Sequence, residues 1–263
     1  MEPNNIPKII HYCWIGGKPL TPLARKCVES WQRVMPDYEI KCWNESNYDF
    51  RKNEFMANAY KRKKWGFVPD YARLEIIYNY GGIYLDTDVE TLKPFDELLK
   101  YSAFCGFESE HFIALGLGFG AQKGNPIIKK MMEQYEKMDF KLSPKILQQA
   151  SLYSRVQAEK WQKENLVPSP LLQTQFLVEN YGLKQNNTRQ NLEGLEIFSS
   201  SYFCPKNNAN LPDKTDTAYS VHWYAASWLP WYYQIYIKTK KVLRKILGNK
   251  YSYLVKIKKK LFK

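Results

Sequence analysis

The chain has 263 residues, 44% of them hydrophobic and 16% aromatic, with a formal net charge of +13. That length suits one large α/β domain, alone or with a small annex, and is enough to bury a full core. Eleven of the thirteen net charges fall in the segment from Lys238 to Lys263, which holds ten lysines, one arginine and no acid, so the body is nearly neutral and a uniformly basic nucleic-acid binder is excluded.

Ile6–Ile15 is rich in β-branched and aromatic residues and stops at Gly16-Gly17, which predicts a first strand and a loop. Pro22–Met35 has helical spacing (Leu23, Cys27, Trp31) and ends before Pro36. Tyr38–Trp43 reads as a second strand and Asn53–Lys64 as a polar helix. Pro69 sits where a helix begins and Gly81 where one ends, with Tyr71, Leu74 and Tyr78 forming an i, i+3, i+7 stripe between them. Ile83–Val89 follows as a short strand. Ala103–Ala121 reads as a strand and a glycine-rich loop, Pro126–Met138 as a helix, and Pro144–Lys163 and Pro168–Tyr181 as two more. Glu196–Phe203 and Ala218–Trp223 read as short late strands. The alternation predicts a parallel-rich α/β sheet.

Five scattered cysteines (Cys13, Cys27, Cys42, Cys105, Cys204) contain no C-x-x-C pair, so neither a disulfide framework nor a zinc site is expected. They read as reduced thiols, which points to the cytosol. The first residues lead straight into a strand without an apolar signal core, and no run reaches 18 apolar residues, so no membrane span is expected.

The segment Gly81-Gly82-Ile83-Tyr84-Leu85-Asp86-Thr87-Asp88 carries the most chemistry. In a strand, side chains two apart share a face, so Asp86 and Asp88 are expected to look into one site. Two carboxylates there repel each other and lose solvation. A hard divalent cation, Mn²⁺ or Mg²⁺, relieves both problems and bridges to substrate phosphates. A departing diphosphate needs that charge neutralised. Alone, D-x-D also suits a solvated turn, and Asp86-Thr87-Asp88-Val89-Glu90-Thr91 is close to a D-x-D-x-T phosphatase motif. Asp70 and Arg73, three apart at a helix start, share a face. They form either a plain ion pair or a site in which Arg73 offers a planar fork to phosphate or sugar oxygens while Asp70 accepts from hydroxyls.

Ile6-Pro7-Lys8-Ile9-Ile10-His11-Tyr12-Cys13-Trp14-Ile15-Gly16-Gly17 resembles the opening of glycosyltransferase family 32. Val68-Pro69-Asp70-Tyr71-Ala72-Arg73 together with the Gly81–Asp88 segment resembles that family's donor-site core. His222-Trp223 with Ser227-Trp228 resembles its closing motif. The likeness covers roughly residues 6–230. The clostridial glucosylating toxins have a similar donor-site logic.

The resemblance implies a GT-A, Rossmann-like α/β domain with helical additions, a nucleotide-sugar donor, a divalent metal, and retention of anomeric configuration. It implies that Trp14 stacks near the nucleotide base and that Asp70 and Arg73 hold the donor sugar. Asp86 would touch ribose or donor sugar, Asp88 would bind the metal with His222 as an additional ligand, and Trp228 would close over the diphosphate. The catalytic set would then be Asp70, Arg73, Asp86 and Asp88. His11, inside the first strand, reads as structural. The segment Pro168–Gln175 is expected near the acceptor and the Gly116–Gly120 loop near donor hydroxyls. Members make capsular or surface polysaccharides, so the acceptor is expected to be a glycan or lipid-linked glycan and the donor a UDP-hexose.

Residues 1–230 are expected to form the transferase domain and residues 231–263 a basic amphipathic tail. Trp228, Trp231, Tyr232 and Tyr233 lead into Ile235, Ile237, Val242, Leu243, Ile246 and Leu247 among lysines. Interfacial aromatics beside lysines suit an anionic membrane surface, which places the protein peripherally on the cytoplasmic face. A noncatalytic carbohydrate- or lipid-binding protein and a metal-dependent phosphatase are the alternatives.

Overall fold

The computed structural model describes residues 5–138, 140–150, 163–205, 217–225 and Thr239. The strands are β1 (Ile9–Cys13), β2 (Glu39–Trp43), β3 (Gly82–Tyr84), β4 (Val89–Thr91), β5 (Ala103–Gly106), β6 (Phe119–Ala121), β7 (Gln190–Leu192), β8 (Leu195–Phe198) and β9 (Ser220–His222). The helices are α1 (Pro22–Val34), α2 (Glu54–Lys61), α3 (Val68–Tyr80), α4 (Pro126–Lys137), α5 (Pro144–Gln149) and α6 (Ser169–Tyr181). A one-turn helix, Ser200–Phe203, follows β8.

Local chemistry sets the helix starts. Thr21 accepts from the Ala24 N–H, Asn53 from Met56, Asn125 from Ile127 and Ile128, and Ser143 from Ile146. Pro22, Pro126 and Pro144 each take the first helical position, where no N–H partner is needed.

A seven-stranded sheet runs in the order β2-β1-β3-β6-β5-β8-β7, and β4 pairs with β9 in a separate ribbon. The large sheet is mixed rather than parallel-rich: β1–β2, β1–β3 and β5–β8 are parallel, while β3–β6, β5–β6 and β7–β8 are antiparallel. The β7–β8 connection is the two residues Glu193-Gly194, both at positive φ, which is hairpin geometry with no room for a crossover. The stretch Glu196–Phe203 is also not one strand, because the chain leaves the sheet at Ser199 and coils.

Side chains alternate across the sheet. Ile10, Tyr12, Ile83 and Phe104 pack with α1 through Cys27 and Trp31. Cys13, Tyr84, Ala103 and Cys105 pack on the other side with α3, α4 and α6. The result is a sheet between two apolar layers. Gly82 lets β3 lie close to β1: it has φ of +98°, and a Cβ there would meet the Ile9 carbonyl oxygen at 2.7 Å and His11 Nε2 at 2.9 Å. Among the described residues no helix is long and apolar enough to cross a membrane.

Candidate active site

The two aspartates do not share a strand face as the alternation argument expects. β3 ends at Tyr84 and β4 begins at Val89, so Asp86 and Asp88 sit in the turn between them. The Leu85 N–H still takes a β1 carbonyl, at His11, but the Asp86 N–H turns away to the Gly116 carbonyl, and the ladder ends. The Val89 N–H then closes back on the Asp86 carbonyl at 3.0 Å. The turn, rather than the pleat, brings both carboxylates to one place.

α3 contributes the second charged pair from beneath. Arg73 is 5% exposed and Asp70 4%, with 3.0 Å between Nη2 and Oδ1. This is a buried ion pair rather than a solvated helix pair, and removing one partner would strand a buried charge at a cost of about 3–5 kcal/mol. The same Nη2 lies 3.4 Å from Asp86 Oδ1. Arg73 is held in place by Nε donating to the Pro69 carbonyl at 3.1 Å and by its guanidinium lying 5.1 Å from the centre of the Tyr84 ring. Burial pushes the Asp70 carboxyl up to about 7, against the downward pull of Arg73 and of a hydrogen bond from Ser169, with Asp86 adding to the rise. Burial works against the Arg73 cation, and Asp86 and Asp70 outweigh it, so Arg73 stays charged.

His222 arrives on β9. Val89 pairs with His222 across the ribbon, and the His222 Nε2 lies 2.9 Å from Asp88 Oδ1. Asp88 Oδ2 also accepts from the Ala225 N–H at 2.8 Å. Burial opposes the Asp88 carboxylate, but His222 and the Ala225 N–H outweigh it and hold its pKa below the ordinary value. Burial likewise opposes a charged His222, and Asp88, assisted by Asp86 and Glu108, raises it.

Asp86, Asp88 and His222 each present one donor atom, all within 4.8 Å of one another. Two carboxylate oxygens and an imidazole nitrogen suit Mn²⁺ and are compatible with Mg²⁺. The His222 Nδ1 is buried without a hydrogen-bond partner among the described residues, which leaves the ring ready for a ligand.

The alternation argument put Asp86 and Asp88 on one cation, and the family resemblance paired Asp88 with His222 and gave Asp86 to ribose or donor sugar; the geometry places Asp86 against both the metal-type cluster and Arg73. Trp14 stands just beyond β1, partly buried, with its indole N–H donating to the Lys18 carbonyl at 2.5 Å. Trp228 lies outside the described residues.

Sequence reasoning did not single out three contributors. Ser169 bonds Asp70 and had only its place in the Pro168–Gln175 segment to mark it. Glu108 follows β5, is pushed up to about 7 by burial and feels the opposing pull of His222; a lone acid after an apolar strand carries no sequence signal. Gly116 packs against Asp86 so closely that a Cβ there would overlap the carboxylate and come within 3.2 Å of Arg73 Nη1. A Gly-rich stretch hints at such an approach without saying which glycine makes it.

Residues 22–105 match the family described as the glycosyltransferase sugar-binding region containing a DXD motif. Inositol phosphoceramide mannosyltransferase 3 of Schizosaccharomyces pombe is 30% identical over 146 residues, which cover 51% of this chain and 38% of that protein. Human alpha-1,4-N-acetylglucosaminyltransferase is 33% identical over 81 residues, 30% of this chain and 22% of that protein. The chain therefore spans well under half the length of these relatives. The solved structure of the PaToxG glycosyltransferase covers 68% of this chain and 71% of its own, with a TM-score of 0.45 at 19% identity.

Proposed function

We propose, from the match of residues 22–105 to the glycosyltransferase sugar-binding region containing a DXD motif, that this chain transfers a hexose from a nucleotide-sugar donor to a glycan or lipid-linked glycan, with retention of configuration. The observation that carries the reading is the continuous chain of charge from Asp70 through Arg73 and Asp86 to Asp88 and His222. A buried carboxylate suited to sugar hydroxyls runs directly into a cluster suited to a diphosphate and its cation.

In the transfer, the acceptor oxygen bonds to the anomeric carbon as the bond from that carbon to the phosphate oxygen breaks. The nucleoside diphosphate leaves with the electron pair, and the acceptor proton passes to the departing phosphate. Asp86, Asp88 and His222 would hold Mn²⁺ or Mg²⁺, which when bound neutralises the charge of the leaving diphosphate. His222 would offer a ring nitrogen to that cation in its neutral form.

Asp70, kept in place by Arg73 and Ser169, accepts from donor-sugar hydroxyls. Arg73 fixes Asp70 and Asp86 in one geometry and adds positive charge beneath the donor. Gly116 lets the loop lie against Asp86 without a side chain. Trp14, at the end of β1, offers a partly exposed indole to the base. No protein nucleophile is invoked; the chain supplies position and charge.

The relatives' names include both a mannosyl and an N-acetylglucosaminyl transferase. UDP-hexoses come first as donors, with UDP-N-acetylhexosamine and GDP-mannose as the competing candidates. Synthesis of a surface polysaccharide at the cytoplasmic face of a membrane is the setting this reading favours.

The test is a thermal-shift and hydrolysis screen of nucleotide sugars with and without Mn²⁺. One donor is expected to raise the melting temperature only with metal, by mass action on the folded state, and to release its nucleoside diphosphate slowly. Asp88→Asn should lose at least about 100-fold in turnover. A phosphatase would instead release phosphate from simple esters without donor-specific protection. Absence of any shift and any hydrolysis would reject the transferase reading.

A further inference from the structure

A second cleft, separate from the carboxylate cluster, has a volume of about 390 Å³. That lies within the range of about 300–1,000 Å³ typical of small-molecule sites. One wall is the loop after β5, from Glu108 to Phe112, and the other is the start of α6, from Pro168 to Leu171. Both walls lead back to the cluster. Glu108 stands close enough to His222 for their charges to interact. Ser169, between Pro168 and Pro170, hydrogen-bonds Asp70. Each wall of the cleft thus carries, or adjoins in sequence, a residue that interacts with the charged chain.

Its lining is amphipathic in the way a sugar ring requires. Phe112, Pro168 and Pro170 offer flat apolar faces to ring C–H groups, while Glu108, Glu110 and Gln149 offer oxygen acceptors to hydroxyls. The Gln149 Oε1 is buried without a hydrogen-bond partner among the described residues. Two acidic side chains line the cleft, and among the described residues it has no lysine or arginine. The one histidine of the lining, His111, is engaged through Nδ1 with the Gln185 carbonyl at 3.0 Å, so an anionic group entering here would meet the Glu110 carboxylate without a lysine or arginine to offset it.

Resting on the transferase reading, we propose that this cleft is the acceptor subsite and that it takes an uncharged terminal sugar ring rather than a phosphorylated one. The acceptor is thereby separated from the phosphate-bearing one named for the fission-yeast relative. Glu110, at the exposed rim, sets the charge preference, and the Phe112 and proline faces seat the ring.

The experiment uses the full chain with Mn²⁺ and the nucleotide sugar that the screen selects. Methyl α-mannopyranoside, methyl β-glucopyranoside and methyl β-galactopyranoside are the neutral acceptor probes, and myo-inositol 1-phosphate is the anionic one. Products are read by mass spectrometry, and donor hydrolysis without acceptor is measured in parallel. At least one neutral glycoside should accept the sugar, and myo-inositol 1-phosphate should be at least tenfold poorer. Glu110→Lys, an exposed substitution, should shrink that preference about tenfold, and Glu110→Gln should fall between the two proteins.

Equal or better transfer to myo-inositol 1-phosphate overturns the proposal, as does an unchanged preference in Glu110→Lys. Donor hydrolysis with no transfer to any neutral probe overturns the cleft assignment alone. Absence of hydrolysis overturns the transferase reading, and this proposal falls with it.

Discussion

His11 is fully buried and bonded on both ring nitrogens. The Trp43 Nε1–H donates to Nδ1 at 3.1 Å, so the ring proton sits on Nε2, which donates to the Gly81 carbonyl at 2.9 Å. The ring is therefore a neutral strut tying β1 to β2 and to the Gly81-Gly82 corner that launches the aspartate turn. Burial lowers its pKa from 6.5 to about 4, with the Gly81 carbonyl pulling the other way. A depressed folded pKa means that the stability is present above pH 6.5 and is lost as pH falls through 4. The loss attributable to this one group approaches about 3 kcal/mol. Urea melts between those pH values should show the wild type losing more stability on acidification than His11→Gln. Parallel curves for the two proteins would remove His11 as the titrating group.

The small β4–β9 ribbon is the element on which the candidate metal cluster depends, since its two strands bring Asp88 and His222 together. Contacts from α1 and from Trp223 brace it. Trp31 of α1 donates from Nε1 to the Val89 carbonyl at 2.7 Å. The Trp223 N–H bonds the Asp88 carbonyl at 2.9 Å. Trp223 Nε1 reaches Glu90 Oε2 at 2.9 Å, the same oxygen that Lys26 of α1 meets at 2.8 Å while lying over the Trp223 ring. Trp223→Phe keeps the ring and deletes the hydrogen bond. Stability should fall by about 1 kcal/mol, and Mn²⁺ affinity by about tenfold as the His222 segment loosens. Calorimetric titration with Mn²⁺ alone checks this, and an unaltered dissociation constant would show that the brace does not position His222.

At the scale of the molecule, charge is divided between a nearly neutral body and the basic segment from Lys238 to Lys263. That segment lies outside the described residues, apart from Thr239 immediately after its first lysine. Its role remains a proposal from composition: interfacial aromatics and lysines bring the catalytic body to an anionic surface where lipid-linked acceptors reside. Full-length protein should float with phosphatidylserine vesicles at low salt and be released as salt rises, while protein truncated after residue 230 stays in the bottom fraction. Equal flotation of both would place the membrane contact elsewhere or nowhere.

Proline at helix starts, Gly81 at the end of α3 and the β-branched and aromatic run of β1 before Gly16-Gly17 are local signals, so these elements were legible in the sequence. So were Asp70, Arg73, Asp86 and Asp88 as candidates, because D-x-D after an apolar strand and paired charges on a helix are short-range patterns, whereas His222 came only from the family resemblance of its closing motif. The mixed sheet was not legible, since strand direction depends on where the chain reverses, as at Glu193-Gly194. Nor was the way Asp86 and Asp88 converge: the sequence alone suggested a pleat, and the structure made a turn where the Asp86 N–H leaves β1 for the Gly116 carbonyl. Burial decided the rest. Only packing turns Asp70 and Arg73 from a solvated helix pair into a buried one, seats Gly116 against Asp86, and brings Ser169 and Glu108 from distant segments to the edge of the same site, because proximity between residues far apart in sequence is a property of the folded core and not of spacing along the chain.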